Sequence, residues 1–175
     1  MYEKQFAITD RLLGEGYEPE MFYAVEPSIQ MYIAEKSEAL RELYVSSYSY
    51  AATANYIHQM ATDKLVELFG AMHPQYTRQD FYELELATSG MVRSFMARKC
   101  DRNFTMEQKL RRFLSCSMTI YGVAEEKQQQ VIDRVLEMDL KSVADQLVAD
   151  AIHQADEQYQ EAERKGKAIE AVRNG

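Results

Sequence analysis

The stretch TRQDFYELELATSGMVRSFMARK, residues 77–99, decides the fold. Phe81, Leu84, Thr88, Met91 and Phe95 follow one another at steps of three and four residues, which stacks them on one side of an α-helix. No alternation of period two competes with that pattern, so the segment predicts a helix from Thr77 to about Lys99.

Working outward, the same periodicity recurs between readable stops. Residues 2–13 carry Phe6, Ile8, Leu12 and Leu13 and end at Gly14 and Gly16. Residues 20–35 carry Phe22, Val25, Ile29, Tyr32 and Ile33, with Pro27 inside the pattern. A proline within a helix removes one hydrogen bond and clashes with the preceding turn, so a kink or a restart is expected there. Ser37 is a suitable N-cap for a helix from about Glu38 to Tyr48, and the next runs from about Ala52 to Ala71 before the break at 73–75. Thr105 and Gln108 have the spacing of a capping box, opening a helix with Leu110, Phe113, Leu114, Ser117, Met118 and Tyr121 on one side and Gly122 at its end. Residues 125–137 form a further helix. The last starts near Asp139, carries Val143, Leu147, Val148, Ala151 and Ile152, and turns polar from Gln154 onward.

These segments make an all-α, single-domain bundle of seven to eight helices, with residues 1–153 as its body and 154–175 as a polar helical extension or tail. Composition agrees. In 175 residues only seven glycines and three prolines punctuate the chain, and 46% of residues are hydrophobic. No repeat and no long linker divides it.

Charge limits the partners. A net charge of −8 opposes unaided binding to phosphate backbones, because that affinity rests on basic residues that release counterions, so this chain alone is not expected to bind DNA. Neither a membrane span nor a signal peptide is readable, and a cytoplasmic protein is expected. Cys100 and Cys116 have no CxxC spacing and read as reduced, partly buried thiols.

Catalytic and metal motifs are missing. His58, His73 and His153 lie on different segments without a ligand partner one turn away, so no metal and no cofactor is expected. Glu125 with Glu126 and Glu83 with Glu85 read as solvated helix faces rather than as an acid and base pair. No phosphate loop or nucleophile elbow is present, and an enzyme is not expected.

Two features remain. Twelve tyrosines and ten methionines occur without tryptophan, and Tyr44, Tyr48, Tyr50 and Tyr56 crowd a stretch rich in Ser, Thr and Asn. Rings with one polar tip and adaptable thioethers suit a cavity for a mixed polar and apolar small molecule; they equally fill a helical core and its rim. Small residues, Ala87, Ser89, Gly90 and Ser94 on one helix and Ser115, Cys116, Ser117 and Thr119 on the next, let helices approach closely, within one subunit or across a two-fold interface.

Over about residues 2–122 the order of segments resembles the C-terminal portion of TetR-family regulators. MYIAEKSEALRELY at 31–44 looks like that family's turn between two pocket helices, and GMVRSFMARK at 90–99 followed by TMEQKL at 105–110 resembles its last two helices. The resemblance implies a homodimer that binds a small-molecule inducer. Its pocket candidates are Tyr44, Tyr48, Tyr56, Met60, Met91 and Phe95, and its interface candidates are Ser94, Leu110, Leu114, Ser117 and Tyr121. The family's helix-turn-helix is not visible, and Met1 to Gly14 looks like the helix that would connect to it. Segments after Gly122 extend beyond the family's usual ending. A helical interaction module that pairs with a regulator or other protein partner is the alternative.

Overall fold

One apolar helix is covered by all the others. In a computed structural model, which describes the backbone of residues 2–173 and the side chains of residues 6–164, eight helices form and no strand is present among the described residues. They are α1 (Tyr2–Leu13), α2 (Pro19–Lys36), α3 (Glu38–Ser47), α4 (Ala51–Phe69), α5 (Arg78–Ala97), α6 (Met106–Ile120), α7 (Glu125–Glu137) and α8 (Leu140–Arg173). Helix α2 touches each of the other seven. A helix apolar on all sides must be covered on all sides, and Met21, Phe22, Ala24, Val25, Ile29, Met31, Ile33 and Ala34 are all buried.

Pro27 does not divide that helix. The expected restart is overturned: α2 is continuous from Pro19 to Lys36 with Pro27 buried inside it. Neighbours on every side hold the segment helical although one backbone donor is missing.

Local chemistry sets the ends of the helices. Thr105 and Gln108 close the expected capping box on α6, and Thr77 with Asp80 closes a second one on α5. Ser37 caps α3 by accepting from the Leu40 N–H. Gly122 sits at φ 71°, and a Cβ there would lie 3.0 Å from His73 Cε1, so both the backbone and the neighbour require glycine. His73 Nε2 lies 2.7 Å from the Tyr121 carbonyl, tying the α4–α5 loop to the end of α6.

A buried ion pair joins α2 to the α5–α6 turn. Lys109, fully buried, donates to Glu35 Oε1 at 2.7 Å and to the Arg98 carbonyl at the end of α5. Glu35 also accepts the Cys100 N–H at 3.0 Å. Burial alone would raise the Glu35 carboxyl, but the Lys109 ammonium and the Cys100 N–H outweigh it and bring it below the usual carboxylate range.

The outer faces differ. On α5, Leu86, Ala87, Gly90, Ser94 and Ala97 are exposed along one side, and Gly90 has open space where a Cβ would stand. On α8 the apolar contacts end near Val148, and every described residue from 149 to 164 is exposed. None of the helices is long and apolar enough to cross a membrane, over the described residues. Cys100 is half-buried and Cys116 is exposed, so the second thiol lies further out than its sequence position suggested.

Candidate functional site

A cavity of about 70 Å³ lies where α1, α2, α4, α5 and α6 meet, with Tyr48 at the C-cap of α3 completing it. Its apolar wall includes Phe6, Phe22, Ile57, Leu65, Val92 and Phe113, one or two from each surrounding helix. Its polar groups are Tyr23, Glu26 and Gln30 of α2, Tyr48, Lys64 of α4, and Glu85, Thr88 and Ser89 of α5. The space suits a few water molecules or a small head group, and is below the roughly 300–1,000 Å³ typical of sites for drug-sized ligands.

Helical spacing places the acceptors. Glu26 and Gln30 are one turn apart on α2 and share a face, and Gln30 Nε2 donates to Glu26 Oε1 at 2.5 Å. Glu85 and Thr88 are likewise one turn apart on α5, with Thr88 Oγ1 3.2 Å from Glu85 Oε2. From α4, His58 Nδ1 reaches Glu85 Oε1 at 3.1 Å. Thr88 continues the chain to Tyr121, whose hydroxyl is 2.8 Å away. Tyr121 is itself enclosed, stacked on Phe69 at 5.0 Å and edge-on to Tyr23 at 5.0 Å. Tyr23 bonds in turn to Ser117. A polar thread therefore runs from α4 through α5 to α6 and back to α2.

The two carboxylates repel each other in a poorly solvated place. Burial pushes Glu26 up to about 7, with the Glu85 charge adding to the rise and the Gln30 amide opposing it. Glu85 is raised as well, by burial first, with His58 and Thr88 opposing. Lys64 also lines the cavity, but its ammonium is 2.8 Å from Glu67 and 4.3 Å over the Phe22 ring. Among the described residues no group of three or more His, Cys, Asp and Glu side chains is placed to hold a metal ion.

No family model, curated protein or solved structure matches the chain.

Of the six pocket candidates, Tyr48 lines the cavity. Tyr44 is buried and faces instead a wider groove of about 560 Å³ between α1 and α8. Tyr56 is 50% exposed on α4. Met60, Met91 and Phe95 are half-buried outside the cavity, Phe95 against Phe104 and Phe113.

The interface candidates divide the same way. Ser94 is exposed, but Leu110, Leu114, Ser117 and Tyr121 are each at most 1% exposed within the single chain. A second subunit cannot reach their side chains, so these four belong to the protomer's core and not to a seam.

Glu85 is the clearest correction. Read as a solvated residue beside Glu83, it is 5% exposed, because α5 turns Phe81, Glu85, Thr88, Val92 and Met96 inward and leaves Leu84, Met91 and Phe95 at the flank. Glu26 and Gln30 belong to no motif, but they carry a signal: they are the two long polar residues inside the apolar run at 21–34. Polar groups at core positions mark either a satisfied network or a site.

Proposed function

We propose that the chain is the ligand-sensing and dimerisation domain of a TetR-type transcriptional regulator, acting in the cytoplasm. The observation that carries this reading is the cavity: the half-buried Glu26, the buried Glu85 and Gln30 and several aromatic side chains line one partly open space contributed by five helices. A cleft between helices of a bundle that combines apolar walls with a few polar groups is where small ligands bind, and the size of this one admits a small ligand or part of a larger one.

The mechanism is a population shift. A ligand seated against α2 and α5 favours one packing of those helices over another, and α2 touches every other helix, so the preference spreads through the bundle. Two subunits would meet on the outer face of α5, where Leu86, Ala87, Gly90, Ser94 and Ala97 are exposed along one side of the helix. A change in the angle between subunits would then alter the spacing of the regulator's DNA-binding regions. No residue of the cavity is assigned a step of bond chemistry.

A second reading rests on α8, whose exposed residues 149–164 extend past the core. A helical interaction module would use that segment to dock on another protein. Native mass spectrometry of the purified chain separates the two readings. A dimer carrying a small-molecule adduct supports the sensor, and a bare monomer overturns it in favour of the interaction module.

A further inference from the structure

Apart from Lys64, which is bonded to Glu67, the charged side chains that line the cavity are both carboxylates. Glu26 and Glu85 are acceptors when ionised, and neither forms an ion pair with a lysine or arginine among the described residues. The imidazole of His58 reaches Glu85 alone. Gln30 supplies the independent sign of a missing donor. It is 2% exposed, it lines the cavity, and its Oε1 is buried with no hydrogen-bond partner. When Glu26 is ionised the orientation of that amide is set, because a carboxylate only accepts and the Nε2 end is the one that donates to it, at 2.5 Å. The carbonyl end is thereby left as an acceptor without a hydrogen.

A buried acceptor without a donor is costly, and a buried carboxylate with a half-buried one near it is more costly still. A ligand carrying several N–H donors and a positive charge removes both penalties together. Aromatic faces strengthen the same preference, since Phe22, Tyr23, Tyr48 and Phe113 line the space and ring faces attract cations. Lys64 already places its ammonium over the outer ring, Phe22, while bonded to Glu67. A metal ion fits less well, because the described side chains offer no group of three ligating residues.

We infer that the cavity binds a small organic cation, a protonated amine with an apolar or aromatic body, whose ammonium sits between Glu26, Gln30 Oε1 and Glu85. This rests on the sensor reading and names the ligand class of the same site. The size of the space limits the enclosed part to a head group and a few carbons. An amine of this kind donates up to three hydrogen bonds, one for each of the three acceptors.

The test uses benzylammonium as the probe, with benzyl alcohol and benzoate as the neutral and anionic counterparts, titrated by calorimetry into the full chain at pH 8. Benzylammonium should bind at least tenfold more tightly than benzyl alcohol, and benzoate should not bind. Binding should release protons when the titration is repeated at pH 6.5, because the ammonium selects the ionised carboxylate. Glu26→Gln and Gln30→Met should each weaken benzylammonium at least tenfold while circular dichroism stays unchanged, and Glu83→Gln on the exposed face of α5 should leave the affinity as it is. Equal affinity for benzylammonium and benzyl alcohol, both lost on filling the cavity with Ser89→Phe, overturns the cation and leaves the sensor standing. Failure of benzylammonium to bind, or binding unaffected by both Glu26→Gln and Gln30→Met, overturns the cation as well. The sensor reading falls separately, on a bare monomer in native mass spectrometry.

Discussion

Lys109 Nζ, on a side chain with no exposure, lies 2.7 Å from Glu35 Oε1, and this pair ties the central helix α2 to the start of α6 across 74 residues of sequence. Removing one member leaves the other charge buried. Glu35→Ala should therefore destabilise the fold by about 3–5 kcal/mol, measured by urea denaturation. The double replacement Glu35→Leu with Lys109→Met should recover much of that loss, since an apolar pair of similar volume needs no compensation. A double variant as unstable as Glu35→Ala would show that the cost lies in packing instead.

Stability should fall as the pH rises from about 4.5 to about 7. Glu26 is raised from 4.5 to about 7 in the folded chain, so its contribution is fully present below pH 4.5 and is lost between there and pH 7. The shift corresponds to roughly 3 kcal/mol. The groups around it are Glu85 from α5, Tyr23 and Gln30 on α2, and His58 and Lys64 from α4. Glu85 acts in the same direction, whereas Glu35, lowered, contributes stability that is lost only as the pH falls below 4.5. Glu26→Gln should remove most of the loss between pH 5 and pH 8, and should melt higher than the wild type at pH 8 without ligand. A pH dependence identical in both proteins would refute this.

Gly122→Ala should cost about 1–2 kcal/mol from the left-handed backbone alone. The new methyl also meets the His73 ring, so thermal melting should show the larger end of that range. An unchanged melting temperature would mean that the turn had relaxed.

The proposed dimer seam predicts a clean break. Gly90→Arg places a long charged side chain at the middle of the exposed strip on α5, where the protomer itself has room for it. Light scattering should report monomers with helical content intact. Retention of the dimer mass would move the seam to another face. Ser117→Arg is the contrasting case: Ser117 is fully buried, so that variant should lose its fold before it reports on assembly.

Much of this was written in local sequence. Helix ends follow from Ser37, Thr105 with Gln108, and Gly122, because a cap is a bond between residues two to four positions apart. The all-α class follows from spacing of three and four, since that periodicity belongs to the backbone itself. The character of a site was also partly visible, in the tyrosines around Tyr48 and in Glu26 and Gln30 amid apolar neighbours.

Tertiary structure alone decided which side of each helix faces inward, and so where the site lies. On α5 the apolar stripe through Leu84, Met91 and Phe95 competes with an inner face that carries Glu85 and Thr88, and local propensity favours the first. Burial of Glu85 depends on His58, 27 residues away, and on a thread of hydroxyls that ends at Tyr121. Those partners become neighbours only when α4, α5 and α6 pack around α2. Whether a carboxylate is solvated or buried is a property of its surroundings, and no short stretch of sequence contains them.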